Sequence, residues 1–239
     1  MNRSDSRPWG PESGPGGLES RRSVVTVQIA ILLFDQVYAL DAVGPFEVLQ
    51  GMPGAEVCFV AADPGPKPTE RGALALVADH ALHAVPRPHV VVVPGGIGEL
   101  EARTDERVID WLRGAHETSH WTTSVCTGSL LLGAAGLLEG KRATSHWTAL
   151  DALRDFGAEP VADERVVFDG KIVTAAGVSA GIDMALTLAT EIAGADVAQA
   201  IQLDLEYDPQ PPHDTGSTAK APPEVVERIR AGSRFARST

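Results

Sequence analysis

Val90-Val91-Val92-Val93 is an unbroken run of four valines. Such a run cannot alternate between a wet face and a dry one, so a strand made of it must be buried on both sides. Val24–Phe34 has the same β-branched character over a longer stretch, and Glu56–Ala61 and Trp121–Val125 repeat it more briefly. Between these runs lie segments with helical spacing. Val43–Leu49 follows Asp41 and stops at Gly51-Met52-Pro53-Gly54, and Thr104–Glu117 carries Val108, Ile109 and Leu112 on one face. Thr127–Leu138, Thr148–Phe156, Val178–Ala193 and Ala195–Tyr207 read as further helices, while Pro160–Phe168 and Lys171–Thr174 read as a hairpin turning at Asp169-Gly170. Apolar strands alternating with helices predict a mostly parallel α/β sheet covered by helices on both faces.

A chain of 239 residues is long enough for one large domain. Residues 1–22 are mostly Gly, Pro, Ser and Arg with little to bury, and they read as a disordered leader. The α/β domain is expected over 23–207. Residues 208–239 form a tail that opens with Asp208-Pro209-Gln210-Pro211-Pro212 and carries a short helix near Pro223–Ala231. This tail is expected to strap over the domain or across a partner. Ser20-Arg21-Arg22-Ser23 before an apolar stretch has the outline of a twin-arginine export signal. However, Gln28 interrupts that stretch and no small-residue cleavage site follows, so a buried strand explains it better.

Twenty Lys plus Arg against 32 Asp plus Glu leave a formal charge of −12. That balance repels phosphate backbones and anionic lipid surfaces, so neither nucleic acid nor membrane is an expected partner. No apolar run reaches the length of a transmembrane helix. Two cysteines, Cys58 and Cys126, cannot build a disulfide framework and suit a reducing, cytoplasmic setting.

Three segments carry the candidate chemistry. In Ser124-Val125-Cys126-Thr127-Gly128-Ser129 a strand ends at a cysteine and a helix begins at once. This turn lifts the thiol out of the sheet toward unpaired helix N–H groups, a setting expected to lower its pKa. Pro94-Gly95-Gly96-Ile97-Gly98 leaves the valine strand where ligands collect in open α/β sheets, and its glycines can present backbone N–H groups to an anion. Asp41 stands among apolar neighbours in Leu40-Asp41-Ala42-Val43-Gly44-Pro45. Such an acid is often a helix cap, but desolvation can also hold it protonated near neutrality and make it a proton-sharing partner for a thiolate. His146, in Thr144-Ser145-His146-Trp147, is positioned to reach the same mouth. Cys58 has only the context of core packing. The remaining histidines have no metal-ligand spacing, and no phosphate-binding loop is present.

Taken together and in this order, these motifs resemble the DJ-1/PfpI superfamily, and within it the isonitrile hydratase branch. Ala176-Gly177-Val178-Ser179-Ala180-Gly181-Ile182-Asp183 and Tyr207-Asp208-Pro209 belong to the same pattern. The resemblance spans about residues 25–230. It implies a flavodoxin-like three-layer α/β sandwich with a nucleophile elbow, a homodimer, and hydration of a small-molecule isonitrile to a formamide with no cofactor and no metal. On that resemblance Cys126 is the nucleophile, Asp41 its partner acid and Thr127 a hydrogen-bonding group. Gly95, Gly96 and Ile97 contribute backbone polarity, and His146 orders the pocket. Threonine follows the cysteine where protease-like members carry histidine. Two alternatives remain open at this stage: a glyoxalase-like activity on small α-dicarbonyls, and a ligand- or redox-sensing domain.

Overall fold

The computed structural model describes residues 26–236. The expectations for residues 1–22, and for Val24 and Val25 at the head of the first strand, lie outside this range. The chain runs β1 (Val27–Leu32), α1 (Ala39–Leu49), β2 (Ala55–Ala61), a hairpin of β3 (Gly65–Pro68) and β4 (Ala75–Ala78), β5 (His80–Ala81) and β6 (Val90–Val93). It continues through α2 (Glu99–Ala102), α3 (Glu106–Thr118), β7 (Trp121–Val125), α4 (Gly128–Ala134), β8 (Arg142–Ala143) and a 3-10 segment over Leu150–Phe156. Then come β9 (Glu159–Pro160), β10 (Val166–Asp169), β11 (Ile172–Ala175), α5 (Ala180–Ala193), α6 (Ala195–Asp204) and α7 (Pro223–Ala231).

Seven strands form the central sheet in the order β10-β11-β7-β6-β1-β2-β5. Every neighbouring pair is parallel except β10 with β11. The four valines of β6 are all buried between β1 and β7, as their lack of alternation requires. From β1 the chain first steps to β2 on one side and then returns to β6 on the other. Right-handed crossovers therefore place α1 and α3 on opposite faces of the sheet. α1 packs on α5, with α6 outside them, and α4 packs against α3 and the 3-10 segment. The result is the three-layer sandwich that the apolar strands predicted.

The step reversal also creates a switch point between β1 and β6, where ligands bind in open α/β sheets. The strand ends there are flush: Val93 lies opposite Ser124, and Val125 opposite Ala175. Loops leaving β1, β6, β7 and β11 thus converge on one edge.

Several elements differ from the sequence reading. The helix expected over Thr127–Leu138 stops at Ala134, and Thr148–Phe156 forms a 3-10 segment instead of an amphipathic α-helix. The strand expected over Pro160–Phe168 is split, with only Val166–Asp169 pairing with β11. The helix that stops before Gly51 was expected to start past Asp41, yet α1 begins at Ala39 and includes it. The β3–β4 hairpin and the short β5 had no clear signal, because Gly65–Pro68 holds two prolines and lacks the apolar alternation of a strand.

Candidate active site

Cys126 occupies the single residue between the end of β7 and Thr127, which caps α4. Its φ is +59°, a left-handed conformation that costs a non-glycine residue energy unless the surroundings fix it. They do so from both sides. The Cys126 N–H is shared between the carbonyls of Ala175 and Ala176, at 3.1 and 3.0 Å. Its carbonyl accepts from the hydroxyls of Ser129 and Ser145, at 3.1 and 3.0 Å. Gly128 lets the helix sit against the sheet, since a Cβ there would lie 2.1 Å from the Val93 carbonyl oxygen.

Asp41 is the third residue of α1 and faces the same edge, so it is not the cap; Tyr38 occupies that position. The carboxyl is fully buried. Oδ2 accepts the Gly95 N–H at 3.0 Å, while Oδ1 has no partner in regular hydrogen-bond geometry. The Cys126 thiol lies beside this carboxyl and perturbs its ionisation as a hydrogen-bond partner does. Gly95 is needed for the close approach: a Cβ would fall 2.6 Å from both the backbone N and the Oγ1 of Thr127. The next residue completes a clasp. The Gly96 N–H donates to Thr127 Oγ1 at 3.1 Å, and the hydroxyl donates back to the Gly96 carbonyl at 3.4 Å. Asp41, Gly95, Gly96, Thr127 and Cys126 are therefore brought together, as the sequence suggested.

Burial dominates the electrostatics. It lifts the Asp41 carboxyl to a pKa of about 7, although the Gly95 N–H and the thiol pull it down; the charge of Glu70 adds a little upward. Cys126 also moves upward from the ordinary thiol range, first because it is buried and second because Asp41 carries negative charge beside it. Backbone N–H groups of Thr127 and Val178 point at the sulfur and lower its pKa, but not enough to reverse the direction. This corrects the expectation of a resting thiolate. One N–H from the start of α4 and one from the loop after β11 do not compensate for removal from water next to an acid. At neutral pH the resting cysteine is a thiol beside a half-ionised carboxyl.

The other predicted residues stand further out. Ile97 is 43% exposed, and the structure gives its side chain no part in the Asp41–Cys126 contact. His146 Nδ1 bonds the Thr148 hydroxyl at 2.8 Å and accepts the Thr148 N–H at 3.3 Å. Burial lowers its pKa, so the ring is held neutral. It borders a cavity of about 540 Å³ together with Ser145, Trp147, Gly177, Val178 and Arg230. Among the described residues, no group of three or more His, Cys, Asp or Glu side chains is arranged to hold a metal ion. Nor is any helix there long and apolar enough to cross a membrane.

Sequence reasoning missed two contributors. Val178 has φ +36°, an outlier for a β-branched residue, and aims its N–H at the Cys126 sulfur. Ser145 was read only as part of a motif, yet it fixes the Cys126 carbonyl from 19 residues away. The one available signal was that both segments follow strands or strand-like stretches at the same edge.

Comparison with known proteins agrees with this geometry. Residues 27–191 match the DJ-1/PfpI family model. Isonitrile hydratase of Pseudomonas putida is 48% identical over 206 residues, covering 86% of this chain and 90% of that protein. A transcriptional regulator of Pseudomonas aeruginosa, HTH-type regulator CdhR, is 34% identical over 58% of this chain but only 41% of its own length. A crystal structure of a ThiJ/PfpI family protein from Pseudomonas syringae superposes with a TM-score of 0.84 at 36% identity, covering 92% of this chain and 93% of that one. With an elbow cysteine, a facing buried acid and a family match over most of its length, this chain belongs to the DJ-1/PfpI family.

Proposed function

We propose that this protein is an isonitrile hydratase that adds water to R–NC and releases the N-substituted formamide R–NH–CHO. One observation carries the reading: a fully buried carboxyl with one oxygen pinned by a backbone N–H, its other oxygen without a partner in regular geometry, and a thiol beside it that perturbs its ionisation.

Isonitrile hydration needs a nucleophile and a proton delivered to the same terminal carbon. With Asp41 ionised, the Cys126–Asp41 pair holds a single proton. Asp41 Oδ1 takes it from the thiol as sulfur attacks and passes it to the isonitrile carbon, giving the thioimidate R–N=CH–S–Cys126. The carboxylate is then regenerated and acts as base toward water. Addition of water to the C=N bond gives R–NH–CH(OH)–S–Cys126. Collapse to the formamide expels the sulfur, which recovers its proton. The balance is R–NC plus H₂O to R–NH–CHO, with the enzyme unchanged and no redox step. A thiol of raised pKa suits this chemistry, because its own proton is the one the carbon requires. The Thr127 and Val178 N–H groups stabilise the sulfur while it carries charge.

The same features weigh against the alternatives. Oxidation sensing follows thiolate character, which this site suppresses at rest. A Cys-acid-His glyoxalase arrangement needs an imidazole engaged with the reacting groups, whereas His146 bonds Thr148. A homodimeric, cytoplasmic enzyme that turns over without cofactor is part of the proposal. The test is formamide release from cyclohexyl isocyanide, with methylglyoxal assayed alongside. Wild type should release formamide, Cys126→Ala should give none, and methylglyoxal should be left unconverted. Full turnover by Cys126→Ala would rule out the covalent route.

A further inference from the structure

Glu99 follows directly on the Pro94–Gly98 loop that holds Asp41 and Thr127. Its side chain is fully buried, although glutamate is among the residues least often enclosed. Two guanidinium groups meet it there. Arg103, one helical turn on, approaches Oε2 at 3.5 Å, and Arg234 pairs with Oε1. Arg234 comes from the segment after α7, 135 residues further along the chain, and it also donates to the Ile97 carbonyl at 3.4 Å. Phe235 beside it packs against the core, and Arg230 of α7 lies over the Trp147 ring at 5.7 Å. One guanidinium thus grips a loop carbonyl and the first side chain of α2 at once.

The position of that grip matters. Within five residues, the loop supplies the Gly95 N–H that pins Asp41 Oδ2, the Gly96 N–H and carbonyl that clasp Thr127, the Ile97 carbonyl and Glu99. Gly98 packs so tightly on the β1–α1 loop that a Cβ would fall 1.8 Å from the Asp35 carbonyl oxygen. The loop's inner side is therefore set by contact with the β1–α1 loop and the start of α4, and its outer side by Arg234. If Arg234 is removed, Glu99 retains only the longer contact to Arg103 in a site closed to water. A buried carboxylate so placed either takes up a proton or swings out, and either change shifts the loop.

We infer that Arg234 and Glu99 form a positioning pair in which the C-terminal segment locks the Pro94–Gly98 loop so that its N–H groups hold Asp41 and Thr127 in reacting geometry. The inference rests on the hydratase reading for its kinetic readout, but not for its second readout. No role in touching substrate is assigned to either side chain. The tail is thereby a part of the active site's frame, because it reaches the one loop that contacts both the acid and the residue after the nucleophile.

The test compares wild type, Arg234→Ala and Arg234→Lys in the full chain, with kcat normalised to active sites titrated at Cys126. Arg234→Ala should lower kcat roughly tenfold while KM stays within about twofold, the pattern of a misplaced reacting group and not of lost binding. Because the Gly95 N–H lowers the Asp41 pKa, loosening it should also move the acid limb of kcat/KM upward from near 7. Arg234→Lys keeps the charge on Glu99 but not the two-point grip, and should recover part of both effects. A second readout needs no substrate: the pH dependence of Cys126 alkylation by iodoacetamide, followed by mass spectrometry of the Cys126 peptide. Its inflection at the Asp41 ionisation should shift upward in Arg234→Ala and return toward wild type in Arg234→Lys. A normalised kcat and both pH profiles that match wild type would overturn the inference, as would a fall in kcat with no movement of either profile. If wild type hydrates no isonitrile, the functional reading fails by itself, and the alkylation profile still decides whether Arg234 positions the loop.

Discussion

Asp41 and Glu99 are two carboxyls with no solvent exposure, 58 residues apart and joined by one loop, yet they are treated in opposite ways. Glu99 meets two arginines, which pull against the upward effect of burial without reversing it. Asp41 meets only a backbone N–H and a thiol, with the negative charge of Glu70 in the background, and burial carries it to about 7. Full counter-charge makes an acid a fastener. Dipoles alone leave it able to gain and lose a proton in the working pH range. The difference lies in what the chain places beside each group, and not in depth.

The contrast can be broken most sharply at Asp41. Asp41→Asn keeps an acceptor for the Gly95 N–H but cannot relay the thiol proton, so hydratase turnover should fall by about 10²–10⁴-fold. Glu99→Gln keeps an acceptor for Arg234 and should lose about tenfold or less. Steady-state assays of both variants against one isonitrile give the comparison directly, and comparable losses would erase it. In wild type, kcat/KM should rise as pH increases through about 7, where Asp41 gives up its own proton and becomes able to accept that of the thiol.

A smaller effect sharpens the same contrast through stability. Both carboxyls titrate higher in the folded protein than in an unfolded chain, so the native state binds more protons across the intervening range. Stability should therefore fall as pH rises from the ordinary carboxylate range to about 7, with Asp41 levelling off above that. Asp41→Asn removes the larger share. By thermal denaturation it should match wild type near pH 4 and exceed it at pH 8, by roughly 4 kcal/mol. Equal melting temperatures at both pH values would mean that Asp41 ionises normally. The smallest change comes from the clasp: Thr127→Val removes one hydroxyl bonded to Gly96 and should cost about 1–3 kcal/mol in kcat/KM. An unaffected rate would show that the glycine loop is held without it.

The sheet was legible in the sequence because its physics is local. Four consecutive valines admit no half-wet strand, and Cys126 between a strand and a helix admits few geometries. Asp41, Gly95, Gly96 and Thr127 could be assembled from the rule that loops after parallel strands converge. What escaped depends on distance or on depth. The direction of the Cys126 shift was misjudged because a helix start is visible in sequence, whereas the enclosure that outweighs it is a property of the whole fold. Val178 was missed because nothing in its neighbours' identities announces a positive φ. Arg234 could not be matched to Glu99, because it is one of four arginines in a polar tail and each has many acids to choose from. Ile97 was grouped with the glycines for its backbone; its side chain is exposed, and its carbonyl accepts from Arg234.

The flush strand ends at Val93, Val125 and Ala175 have one more consequence. Each loop departs from a common ledge held by ladder bonds behind it, so residues inserted in one loop would not displace the roots of its neighbours. Descendants of such a chain can therefore remodel what enters the mouth, loop by loop, while the sulfur and its acid keep their separation. Diversity of substrates at constant chemistry is what this kind of scaffold makes easy to reach.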